Sequence, residues 1–478
     1  MVFLELDSSD FFSIIYTISN MLRFVGGVMF VPALVAFFLE EFFFAELFGL
    51  MGLSILIIFS VFRIVLGKRE VRFRHAIISI ALAWFIIGFI SAVPFLFVGL
   101  NPLDSFFESV SGWSGTGISM IEFPQDLPQS INFWRGFIQW LGGFGIVLLA
   151  LLVFEKPQTA HNLFAAEGRS EDFYVNVVKV ARTIMVIYFG YTFIGIILFL
   201  FSGLSLFESI FHSFTSIATA GFSTHSIGIG FFGSNAMLVS MFLMILGGIS
   251  FESHFDLMHG RVKKFFNNPE IKFFLGILII SLLLVLFNLF FLNKENFFEG
   301  FFYVVSAITS TGASTFVSVS DFPALSVFLI LVLMIFGACY GSTTGGLKIW
   351  RIIILFRVIR REIHKAFLPN HTVFPIKVGN KVISDESALK ALSYLALYFF
   401  FIVIGSIIFM LFGYGILESV FTVSSAQGNS GLSILSSYSL FNLHPLLKLL
   451  LSLHMIVGRM EILPFLILIK SFGFGSKI

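Results

Sequence analysis

Apolar runs dominate the chain, and polar residues fall between them in short clusters. Runs long enough to cross a bilayer lie near 11–39, 42–66, 76–99, 132–154, 178–201, 235–258, 271–292, 324–357, 386–413 and 444–470. A membrane helix needs about 20 predominantly apolar residues to span ~30 Å of hydrocarbon. The pattern therefore predicts about ten transmembrane helices. The run 324–357 is too long for one span, and GACYGSTTGG interrupts it.

The polar clusters on one side of these helices are not simple turns. Four of them resemble each other: DSFFESVSGWSGTG (104–117), ESIFHSFTSIATAG (208–221), EGFFYVVSAITSTG (299–312) and ESVFTVSSAQGNSG (418–431). Each opens with an acid (Asp104, Glu208, Glu299, Glu418). Each has Phe three residues later and Gly thirteen residues after the acid. Internal periodicity of this kind means repeated structural units.

The acid predicts a helix start, where a carboxylate caps free N–H groups and favours the positive end of the dipole. About ten helical residues cover roughly 15 Å, half the hydrocarbon thickness. Each loop is thus expected to dip to mid-membrane as a half-helix, its negative end inward, followed by small residues and a glycine. Irregular backbone at that depth is tolerated where it lines a wet path or is buried in protein. Four such segments around one axis would form a ring of carbonyl oxygens, the device by which potassium channels replace an ion's hydration shell. Glycine frees the backbone to turn its carbonyl inward. On this reading ITSTGAST (308–315) is one quarter of a selectivity filter. An ordinary re-entrant turn is the alternative for any one loop alone.

Composition narrows the class. The chain has 478 residues, 58% hydrophobic and 12% charged, with a mean hydropathy of +1.00 and 68 Phe. Soluble domains carry about 25% charged residues, so a polytopic membrane protein is the class that fits. A net charge of +2 points away from a nucleic-acid partner. A single cysteine, Cys339, excludes an intrachain disulfide framework. MVFLELDSSD lacks a basic n-region, so no cleaved signal peptide is expected. One set of loops holds Lys68, Arg69, Arg72 and Arg74, then Arg261, Lys263 and Lys264, then Arg357, Arg360, Arg361 and Lys365. The opposite loops hold little beyond Arg135, Lys294 and Lys448. The positive-inside rule makes the first set cytoplasmic and, with an even helix count, both termini as well.

Three other places carry chemistry. Arg459 lies deep in the last apolar run, where an arginine costs a few kcal/mol unless it faces a wet cavity or a partner. GSTTGG (341–346) places three glycines and three hydroxyl residues inside an apolar helix and weakens it there. FESHFDLMH (251–259) gathers Glu252, His254, Asp256 and His259. Glu252 and Asp256 share a helical face that His254 does not, so a polar helix end is expected rather than a metal site. No phosphate-binding loop, dinucleotide fingerprint or catalytic constellation is apparent, so no enzyme is expected. The sequon at Asn370 falls on the cytoplasmic side, where it would stay unmodified.

WRGFIQWLGGFGI (134–146), FHSFTSIATAGFSTH (211–225), GACYGSTTGGLK (337–348) and GRMEILP (458–464) resemble signatures of the Trk/Ktr/HKT superfamily of potassium transporters, most closely its TrkH-type membrane subunit. The resemblance covers nearly the whole chain. It implies an all-α polytopic fold of four helix–pore-loop–helix repeats around a pseudo-fourfold pore, plus two extra N-terminal helices. The units are 1–67 (N-terminal pair), 68–160, 161–264, 265–380 (with a broken second helix) and 381–478.

Carried onto this chain, the filter is Ser114, Gly115, Thr116 and Gly117; Ala218, Thr219, Ala220 and Gly221; Thr309, Ser310, Thr311 and Gly312; Gly428, Asn429, Ser430 and Gly431. Its backbone carbonyls would hold K+, with no covalent cofactor. The resemblance makes Gly341, Ser342, Thr343, Thr344, Gly345 and Gly346 a flexible gate loop and Arg459 a barrier below the filter. A static kink and a structural pair are the bland alternatives.

All four filter glycines are present, which in the family goes with potassium preference. Two departures bear on strictness: Leu432-Ser433 stand where TrkH-type chains tend to have Pro-Gly, and Gly115 replaces a usual hydroxyl residue. The implied function is potassium uptake across the bacterial cytoplasmic (inner) membrane. A proton- or sodium-coupled symporter and a weakly selective sodium/potassium pore are the alternatives. The implied partners are a second copy of the chain and a cytosolic nucleotide-binding RCK-type regulatory subunit.

Overall fold

The computed structural model describes residues 8–67, 69, 71–145, 177–367, 369, 374–379 and 381–471. Lys68, the sequon at Asn370, residue 146 of the first signature and the end of the run 132–154 lie outside the described residues. Elsewhere the apolar runs are helical apart from short breaks, as expected where no water satisfies the backbone.

Ser8–Val28, continued by Phe30–Phe38, packs along Phe42–Leu66 as an N-terminal hairpin. Four units follow, each with a long helix, a short helix and a second helix. The long helices are Phe73–Leu96, Val177–Phe201, Pro269–Phe291 and Asp385–Leu411. The short helices are Pro102–Ser114, Leu206–Ile217, Phe297–Ile308 and Ile416–Gln427. The second helices begin at Gln129, Gly233, Ala324 and Pro445. A two-stranded antiparallel hairpin, Ile376–Val378 with Lys381–Ile383, joins the third and fourth units.

Among the described residues seven helices are long and apolar enough to cross a membrane, eight if Pro445–Arg459 and Ile462–Ser471, bent by 109°, count as one. The sequence pattern predicts about ten. The difference lies in the second helices of the first, third and fourth units, which end short of a full span; that of the second unit, within Gly228–Gly248, is among the seven. Helix ends at Phe144, Gly248, Phe336 and Arg459, and resumes at Phe251, Ile349 and Ile462 in the last three units. Glycine explains three of these breaks. A Cβ on Gly142 would sit 2.0 Å from the Trp113 carbonyl oxygen, one on Gly247 2.6 Å from that of Ile217, and one on Gly458 2.1 Å from that of Gln427. In the first, second and fourth units the second helix thus presses bare backbone against the end of its unit's short helix.

Two charges assigned to loops lie elsewhere. Arg135 is 1% exposed and bonded to Glu108, and Lys448 is 6% exposed and bonded to Asp104. Each sits within its unit's second helix, beside a short-helix carboxylate that makes its burial tolerable.

Candidate functional site

The short helices are 13, 12, 12 and 12 residues long, about 18 Å each. Asn101 and Ser205 cap the first two by accepting from the N–H of Asp104 and Glu208. Glu418 accepts from Gly415 N–H at 2.9 Å. Glu299 lies in the first turn of the third helix, which has no side-chain cap bond. The acids therefore occupy the first turns, while true capping falls to Asn101, Ser205 and Glu418. The Phe of each repeat, Phe107, Phe211, Phe302 and Phe421, is buried.

The four helices end alike. The residue two before each repeat glycine is left-handed: Gly115 (φ +68°), Thr219 (+51°), Ser310 (+49°) and Asn429 (+49°). The glycines are left-handed again, at +86°, +77°, +73° and +84° for Gly117, Gly221, Gly312 and Gly431. Between them an N–H reaches back five residues: Thr116 to Ser111, Ala220 to Thr215, Thr311 to Ser306 and Ser430 to Ser425, at 2.8–3.0 Å. This is Schellman-type closure, repeated four times. A non-glycine residue at positive φ is uncommon, and here it recurs in three of the four units.

These segments meet in a closed cycle. A Cβ on Gly117 would lie 2.2 Å from the Ala220 carbonyl oxygen, one on Gly221 2.1 Å from that of Thr311, one on Gly312 1.8 Å from that of Ser430, and one on Gly431 2.0 Å from that of Thr116. Each unit's glycine faces the carbonyl just before the glycine of the next, and the fourth returns to the first. A side chain fits at none of these positions. The sequence places these residues in four separate loops; the fold brings them into one ring.

Side chains from within and outside the loops hold the ring. Gln139 donates to Ala220 O at 2.7 Å and accepts from Phe222 N–H at 3.1 Å. Asn429 donates to Thr116 Oγ1 and to Met455 O. Arg135 bonds Glu108, Asn132 and Ser223 O and lies 4.4 Å over the Phe222 ring. Sequence reasoning missed Gln139 and the Glu108–Arg135 pair. Their signal was there: polar side chains inside apolar helices.

A second regularity links residues twelve apart. Glu108 accepts from Met120 N–H at 2.8 Å. Thr224 bonds Glu208 at 2.5 Å and His212 at 3.5 Å. Tyr303 accepts from Thr315 N–H at 3.2 Å and donates to Val317 O at 2.6 Å. Residues 108, 212 and 303 thus brace the chain just past the ring. In the fourth unit the equivalent pair is Thr422 and Ile434; the Thr422 hydroxyl is buried without a hydrogen-bond partner among the described residues.

Residues 337–348 leave the helical path of the third unit and run beneath the ring. Cys339 N–H bonds Gly248 O, and Thr343 N–H bonds Gly247 O. Thr343 Oγ1 reaches Ile217 O at 3.1 Å and Thr219 Oγ1 at 3.0 Å. A Cβ on Gly345 would lie 2.0 Å from Gly428 O. Residues 341–346 therefore bridge from the second unit to the fourth. Tyr340 N–H bonds Glu270 at 2.7 Å, and Lys348 Nζ bonds Thr344 O. Arg459 donates to Thr343 O at 2.8 Å and to Gly142 O, tying the loop to the fourth and first units. A cavity of about 70 Å³ lies here, lined in part by Gly345, Asn429 and Arg459.

In FESHFDLMH, His254 bonds Tyr191 and Leu246 O, while Asp256 pairs with Arg261 and Lys264. Among the described residues no group of His, Cys, Asp and Glu is placed to hold a metal ion.

Residues 50–472 match the family model TrkH, cation transport protein. The chain is 30% identical to an uncharacterized cation transporter of Methanocaldococcus jannaschii over 481 residues, covering 99% of this chain and 98% of the relative. It is 30% identical to the Trk system potassium uptake protein TrkH of Escherichia coli over 419 residues, covering 84% and 86%. It resembles the crystal structure of the potassium transporter TrkH from Vibrio parahaemolyticus with a TM-score of 0.84 at 27% identity, covering 96% of this chain and 98% of that one.

Proposed function

The chain belongs to the TrkH family of cation transport proteins, and on that premise we propose that it conducts potassium across the cytoplasmic membrane through a channel-like pore. The observation that carries this reading is the closed ring with its eight left-handed positions, two in each of four units. Alternating handedness turns successive carbonyls to one side, and carbonyls stand in for the water shell of a weakly hydrated cation without adding formal charge. The filter is Ser114–Gly117, Ala218–Gly221, Thr309–Gly312 and Gly428–Gly431. The inward negative ends of four helix dipoles favour a cation at its inner mouth. The potassium uptake named for relatives over most of their length supports potassium as the ion.

Beneath the filter, residues 341–346 act as the gate. Arg459 pins that loop through Thr343 O and sets a positive charge across the path. Conduction then requires the loop to withdraw and Arg459 to release it. Basic loops assign the cytoplasmic face and place both termini there. Two copies of the chain, with a cytosolic nucleotide-binding RCK-type subunit, make the working assembly.

Potassium and sodium flux into liposomes holding the purified chain tests this, with Arg459→Ala alongside. Potassium flux that rises in the variant is expected. Flux that follows an imposed proton or sodium gradient at fixed potassium would instead establish a coupled symporter.

A further inference from the structure

Most basic side chains at the membrane ends of this protein have an explanation: loops, ion pairs or the gate. Arg23 has none of these. It lies within the apolar helix Ser8–Val28, fifteen residues past Ser8, about 22 Å along the axis. It is half-buried and donates from Nε to Ser60 Oγ at 3.0 Å. Ser60 is on Phe42–Leu66, six residues before its end, about 9 Å from it. Arg63 follows Ser60 by three residues and so shares its face. Among the described residues neither guanidinium has a carboxylate partner. The helix beside them presents an exposed apolar surface: Val61, Phe62, Ile64 and Val65 are 46–79% exposed.

Two cations in an apolar span without a counter-charge are costly unless something else supplies the negative charge. Arginine side chains reach toward the headgroup layer from this depth. A guanidinium presents paired donors that match phosphate oxygens, and Ser60 occupies only Nε of Arg23. Arg69 and Arg72 lie just beyond the same helix end, so this is the leaflet where anionic lipid gathers. We infer that Arg23, Ser60 and Arg63 form a binding site for the phosphate of an anionic phospholipid, seated against Phe42–Leu66.

Native mass spectrometry of the full-length protein in detergent tests this, with phosphatidylglycerol, phosphatidylcholine and inorganic phosphate as probes. Phosphatidylglycerol is expected to be retained over phosphatidylcholine. Among the described residues the Arg63 side chain has no hydrogen-bond or ion-pair partner, so Arg63→Gln is expected to fold; it should lower that preference about fivefold. Arg23→Gln with Arg63→Gln should remove it, whereas Arg72→Gln should not. Unchanged preference in Arg63→Gln and the double variant overturns the site. Displacement of the lipid by millimolar inorganic phosphate overturns the lipid assignment in favour of a soluble anion.

Discussion

Replacing Gly312 by serine is the sharpest perturbation of the ring. The new Cβ would lie 1.8 Å from the Ser430 carbonyl oxygen. Ordinary contact is about 3.5 Å, so the two must separate by roughly 1.7 Å. The φ of +73° adds about 1–2 kcal/mol of strain for any side chain. Ser430 belongs to the fourth unit, so a change in the third displaces an oxygen contributed by its neighbour. Loss of about 1.4 kcal/mol of differential ion binding is a tenfold loss of selectivity, and a displacement of this size should cost at least that.

Gly115→Ser is the control. Gly115 is also left-handed, at +68°, but the nearest atom to its Cβ is the Ala220 methyl at 3.5 Å. Thr219, Ser310 and Asn429 already hold that conformation in the other units. Potassium-over-sodium permeability, read from reversal potentials in planar bilayers, should fall about tenfold or more in Gly312→Ser. It should not fall in Gly115→Ser, whose side chain has room and restores the usual hydroxyl. A folded Gly312→Ser that keeps its selectivity, or a Gly115→Ser that loses as much, refutes the reasoning.

Other outcomes follow from the same geometry. Arg135→Ala strands Glu108 without its buried partner and should cost about 3–5 kcal/mol, seen as a large drop in melting temperature in detergent; Glu108→Gln with Arg135→Met should recover most of it. Tyr303→Phe removes the brace to Thr315 and Val317 and should lower selectivity with little loss of expression. Thr422→Val, at the unbraced equivalent, should leave selectivity unchanged, and equal effects from the two would dismiss the brace.

The repeat was legible because it shows in residue types at fixed spacing: the buried Phe, the left-handed glycine and the acid in the first turn. The loop 337–348 was legible because GSTTGG is a poor helix. The breaks near Gly145, Gly248 and Gly458 were not, since a glycine inside an apolar run fits a continuous helix equally well. What breaks those helices is the carbonyl opposite, contributed from elsewhere in the unit. The braces were hidden for a different reason. Glu108, His212 and Tyr303 do one job with three chemistries, so the fold repeats where the sequence does not. Arg135 and Lys448 were read as loop charges because their carboxylates, Glu108 and Asp104, lie on another helix.

The most direct test of the central claim is anomalous scattering from thallous ions bound to the protein, a heavy stand-in for potassium. The account predicts a peak on the axis of the ring, among the carbonyls of Ser114–Gly117, Ala218–Gly221, Thr309–Gly312 and Gly428–Gly431, that weakens in Gly312→Ser. An ordered thallous site elsewhere in the molecule, with none at the ring, would contradict it.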